Sequence, residues 1–82
     1  MLKLLSFILR SKQRVAIIKA LHKATTPSHI ANETKLSKAH VSRTLREFEN
    51  KGVAECKTPK EKVGRIYELT SKGKKILNHL RK

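Results

Sequence analysis

The chain has 82 residues, room for one small domain over 1–82 with a thin core that a partner subunit would help, and its 38 % hydrophobic content is that of a folded protein rather than a disordered one. Twenty Lys and Arg face six acids, all of them Glu, for a formal net charge of +14. Residues 1–50 and 51–82 each hold ten basic and three acidic residues, so there is no basic tail; the folded body itself is cationic and points to nucleic acid as partner.

In chain order, Leu4, Leu5, Ile8 and Leu9 fall at helical spacing and predict a short first helix ending near Arg10. Ser11 caps a second helix over Lys12–Lys23, with Val15, Ile17, Ile18 and Leu21 as its apolar stripe. Proline is favoured at the first helical position, where its missing N–H has no partner to lose. Thr26-Pro27 therefore opens a third helix through about Thr34, with Ile30 and Ala31 inward. Lys35 and Leu36 make a turn, Leu36 filling the core, and Ser37 caps a fourth helix over Lys38–Lys51. Gly52 suits the left-handed residue that ends it.

Beyond Gly52 the pattern changes to two strand candidates, Val53–Thr58 and Arg65–Thr70, joined by a charged loop at Pro59–Gly64. Thr70 or Ser71 caps a last helix to about Leu80, carrying Ile76, Leu77 and Leu80. Helices followed by one hairpin and a final helix make an α+β domain.

Three stretches carry a family resemblance: TPSHIANETKLSKAHVSRTLREFENKGV (26–53), GRIYELTSKGKKIL (64–77) and, more weakly, ILRSKQRVAIIKAL (8–21). They resemble the winged helix-turn-helix transcriptional regulators of the small archaeal and bacterial ArsR/MarR type. The resemblance implies that helix 38–51 enters the major groove of double-stranded DNA and that the hairpin is a wing, with Arg65 as its wing-strand arginine. It stops short of sensing. No paired-cysteine metal motif precedes the fourth helix, and the long additional helices that form the MarR dimer and effector pocket have no room.

On a helical wheel of 38–51, Val41, Leu45 and Phe48 cluster as the buried stripe. Ala39, Arg43, Arg46 and Asn50 stand opposite, with His40 and Ser42 on the flanks. Small residues permit close approach to base edges, and arginine can bond both O6 and N7 of guanine. Arg43 is thus the first candidate for base contact, then His40, Ala39 and Ser42, while Lys38 and Arg46 are candidates for phosphate. The competing reading is an ordinary solvated helix face. In the wing, Lys57, Lys60, Lys62 and Arg65 oppose Glu61, and can follow a phosphate backbone or reach the minor groove. A charged turn that shields a sheet edge would look the same. Thr26, Ser28 and Ser37 lie near helix N-termini, where capping explains them and phosphate contact would be additional. Tyr67 and Leu69 read as core.

Cys56 stands alone, which excludes an internal disulfide and points to a reducing compartment. His22, His29, His40 and His79 have no metal-ligand spacing with Cys56, no Asp occurs, and neither a Ser–His–acid set nor a carboxylate pair can be argued from the sequence, so no metal, cofactor or enzyme activity is expected. The apolar run at Leu2–Leu9 is far short of the ~20 residues a membrane span needs. A cytoplasmic protein with no membrane partner is expected. The terminal helices carry more apolar residues than so small a core needs, which points to a homodimer formed through them. A sequence-specific DNA-binding repressor is the expected function. The alternatives are an architectural, nucleoid-type DNA-coating protein and a winged-helix module for RNA or protein.

Overall fold

Hydroxyl side chains set where four of the helices start. Ser11, Thr26, Ser37 and Thr70 each accept a hydrogen bond from the backbone N–H three residues on, at 3.1–3.2 Å. Each such cap is worth about 1 kcal/mol. In the computed structural model, which describes residues 2–81, the elements are α1 (Leu2–Leu9), α2 (Lys12–Ala20), α3 (Pro27–Thr34), α4 (Lys38–Asn50), β1 (Ala54–Cys56), β2 (Tyr67–Leu69) and α5 (Ser71–Leu80). The architecture is α+β: a winged helix-turn-helix in which α3 and α4 precede an antiparallel hairpin.

α2 ends at Ala20, three residues before the sequence expectation. The cause lies far along the chain. Thr25 exchanges backbone hydrogen bonds with Tyr67, at 3.0 and 2.8 Å, and so adds an isolated bridge to the free edge of β2. The chain must leave the helix to reach that edge. The strands are also shorter than expected. They pair in register Ala54↔Leu69, Glu55↔Glu68 and Cys56↔Tyr67. One further bond, Lys57 N–H to the Ile66 carbonyl at 2.7 Å, continues the ladder. Beyond it the Thr58 hydroxyl, not a backbone carbonyl, accepts from Ile66 N–H at 2.9 Å, and regular pairing stops.

The turn between α3 and α4 places Lys35 at φ 65 with Leu36 half-buried behind it. Gly52 takes φ +72 directly after the Lys51 cap. The core gathers Ile8, Ile17, Ile18, Leu21, Ile30, Val53, Leu69, Ile76 and Leu77 around the α4 stripe of Val41, Leu45 and Phe48. All three stripe residues are fully buried, as the wheel requires. Thr44, on the same side of α4, is buried too and was not anticipated. Tyr67 and Leu69 are core, as expected.

Arg14 fastens α1, α2 and α4 together. It donates to the Phe7 carbonyl at 2.8 Å, pairs with Glu47 at 3.4 Å, and lies 3.7 Å over the Phe7 ring. Lys51 approaches the same ring at 4.7 Å. These two cations therefore have structural work. At the other end, Thr70 anchors α5 by bonding the carbonyls of Gly52 and Val53 through its hydroxyl, and Val53 again through its N–H. The first turn of α5 consequently rests on the Val53 backbone, with Gly73 at the point of closest approach.

Of the apolar residues on the terminal helices, Ile8, Ile76 and Leu77 are buried in the chain's own core. The apolar surface left outside is mainly on α1, at Leu2 and Leu9. No described helix is long and apolar enough to cross a membrane.

Candidate nucleic-acid interface

The cap at Ser37 fixes the start of α4, and the buried stripe fixes its rotation. Lys38, Ala39, Arg43 and Arg46 are exposed as a result, and His40 and Ser42 are half-exposed at the flanks. On the side toward the hairpin, a groove brings together three separate parts of the sequence. It draws on Thr26 and Ser28 at the start of α3, on Lys38, Ser42 and Arg46 along α4, and on Lys62 and Arg65 from the hairpin. Tyr67 closes it toward the core. No Asp or Glu lines it. Its cationic groups are spread over separate elements, the arrangement that can follow a polyphosphate chain.

The remaining candidates lie outside this groove. Ala39, His40 and Arg43 occupy the outward ridge of α4, and Arg43 makes no ion pair among the described residues. Lys60 is exposed in the hairpin loop. Lys57 is drawn back to the hairpin stem, where its ammonium donates to Glu55 at 3.1 Å. That bond, with the nearby Glu55 and Glu68 charges, raises the Lys57 pKa above its ordinary value. Its charge is partly matched by Glu55, whereas Lys60 and Lys62 make no ion pair among the described residues.

Arg65 is the best-seated wing cation. Its guanidinium lies 6.0 Å from the centre of the Tyr67 ring, and the neighbouring Cys56 side chain is the first cause raising its pKa above the ordinary value. Its Nε is buried without a hydrogen-bond partner. Burial raises the Tyr67 phenol pKa, while the positive charge of Arg65 opposes that shift. The arginine stem is thus packed against the strands, and its direction is set before any ligand arrives. Thr26 and Ser37 both act as caps, which accounts for their hydroxyls; Ser28 is exposed beside Thr26. Among the described residues, no group of three or more His, Cys, Asp or Glu could hold a metal ion.

One lining residue was absent from the sequence expectations. Val63, in the wing loop, lines the groove beside Lys62 and Arg65. A single valine in a charged loop has no periodicity to mark it.

The family model described as the HVO_A0261 N-terminal domain matches residues 2–82. No curated protein matches the chain. Solved structures do. A MarR family transcription regulator superposes with TM-score 0.76 at 25% identity, covering 90% of this chain and 53% of that one. A MarR family transcriptional regulator from Silicibacter pomeroyi DSS gives 0.74 at 21% identity, with 96% and 55% coverage. A double mutant of ZitR from Lactococcus lactis gives 0.75 at 19% identity, with 87% and 50% coverage. The chain spans about half the length of these proteins. The two MarR structures are of transcription regulators.

Proposed function

The chain belongs to the HVO_A0261 N-terminal domain family, and from its winged-helix fold and acid-free groove we propose that it is a sequence-specific, double-stranded DNA-binding transcriptional regulator. Residues 1–82 act as one DNA-binding domain. α4 enters the major groove with Arg43 foremost at the bases and His40, Ala39 and Ser42 beside it. Lys38, Arg46 and the Ser37 end of the helix meet phosphate, joined by Thr26 and Ser28. The wing, through Lys57, Lys60, Lys62 and Arg65, lies on the adjoining backbone or minor groove. The protein works in the cytoplasm as a homodimer joined through its terminal helices, and it represses by occupying its site.

The observation that carries this reading is the groove itself. Cations from α4 and the wing meet there with the N-terminus of α3, and no carboxylate lines it. A solvated helix face has no need to converge with a hairpin and a second helix start. The diffuse +14 charge is the one feature that favours the architectural alternative.

The two readings separate in a competition titration in 200 mM salt. A regulator binds its preferred duplex far more tightly than random duplex of equal length, by about a thousandfold or more. A coating protein gives a ratio near one. Each phosphate neutralised adds about −0.9 to the slope of log K against log salt. Six phosphate contacts would therefore give a slope of about −5 on either duplex. Tighter binding to a structured RNA hairpin than to any duplex would instead assign the groove to RNA.

A further inference from the structure

Val63 has 82 % of its surface exposed, more than any other large apolar residue described. A solitary exposed valine is ordinary on a protein surface. This one is distinguished by where it stands. It lines the groove shared with Lys38, Arg46 and Arg65. Its neighbour Lys62 is exposed, and Gly64, at φ +72, is open enough that a β-carbon there would meet nothing within 4 Å. The loop carrying it is closed at its base by the Thr58 and Lys57 bonds to Ile66. Val63 thus stands exposed on a loop held at its base, with Lys62 before it and Arg65 two residues after it.

We propose that Val63 is a minor-groove contact that selects an A·T step beneath the wing. This rests on the DNA-binding reading given above. With α4 in the major groove, the wing meets the neighbouring minor groove, and Lys62 and Arg65 face the phosphate walls while the Val63 methyls reach the floor. At a G·C pair that floor carries the guanine N2 amino group, a donor that an apolar side chain would bury unpaired. At an A·T pair the amino group is absent. Apolar side chains inserted between base steps also favour the flexible TA step, which unstacks readily. Val63 thereby supplies discrimination that the charged residues around it cannot, because phosphate contacts carry no sequence information directly.

The experiment uses the full chain and a duplex it prefers, with the step protected in the minor groove written in turn as A·T, G·C and I·C. Inosine keeps the major-groove face of guanine and lacks only the N2 amino group. The wild type should bind A·T and I·C alike, each about five- to tenfold tighter than G·C, within the usual range for one altered pair. Val63→Thr, nearly the same shape but polar, and Val63→Ala should each lose most of that difference. Thermal unfolding should be unchanged in both, because Val63 contributes nothing to the core. Variants that keep the wild-type preference overturn the proposal. So do variants that weaken all three duplexes equally, since that marks a sugar–phosphate contact. A wild type that binds duplex but does not distinguish the three overturns this inference alone, and one that binds no duplex removes the DNA-binding reading with it.

Discussion

Replacing Gly73 with alanine destabilises the protein by about 1–3 kcal/mol, although the position is inside a helix where alanine is normally the better residue. Helix propensity alone predicts a gain of about 1 kcal/mol for glycine to alanine. The opposing effect is steric. A β-carbon at Gly73 would overlap the Val53 carbonyl oxygen and press on its carbon and on the Leu69 side chain. Backbone cannot swing aside as a long side chain can. Moving α5 away would break the bonds that the Thr70 hydroxyl donates to the Gly52 and Val53 carbonyls, and the same hydroxyl caps the helix by accepting from Gly73 N–H. Urea unfolding monitored by circular dichroism measures the change as a lower midpoint with an unaltered slope. A variant more stable than the wild type would show that α5 can move outward at little cost.

Replacing Arg43 with alanine weakens binding to the preferred duplex by about 1–3 kcal/mol, roughly fivefold to over a hundredfold, and relaxes preference at one base position. Arg43 is exposed and makes no ion pair among the described residues, so the folded state should be unaffected. Removing the exposed wing cation Lys60 should act differently. It weakens all duplexes by a similar factor and makes the salt slope about 0.9 less steep, as loss of a phosphate contact does. The contrast between the two variants is the informative part. If Arg43→Ala behaves like the Lys60 variant, Arg43 meets phosphate and the reading of bases belongs to other residues on the ridge.

The helix starts were legible because a cap is a local device: the hydroxyl and the N–H it satisfies lie three residues apart. The face of α4 was legible for a related reason, since Val41, Leu45 and Phe48 define its rotation without help from the rest of the chain. Features set by distant partners were not. Nothing near Lys23 says that α2 must end early, because the cause is Tyr67, more than forty residues on. Gly73 carries no local mark of its contact with Val53. Arg14 and Lys51 counted only as charge until the Phe7 ring appeared between them. The convergence of Thr26, Arg46 and Lys62 on one groove likewise required the fold. In sequence these residues announced three separate basic or capping sites. Val63 was hidden by its neighbours, one apolar residue within a charged loop.

The claim that α4 reads base sequence is tested most directly by selection from a random duplex library with the purified chain, followed by sequencing of the bound DNA. A homodimer with two such helices should enrich a pseudo-palindrome whose half-site centres lie about 10 base pairs, or 34 Å, apart. An Arg43→Ala protein carried through the same selection should lose preference at one symmetric pair of positions. A pool that binds tightly yet shows no enriched sequence would contradict the account, because the α4 ridge and the groove beside it would then be a surface for coating DNA rather than for reading it.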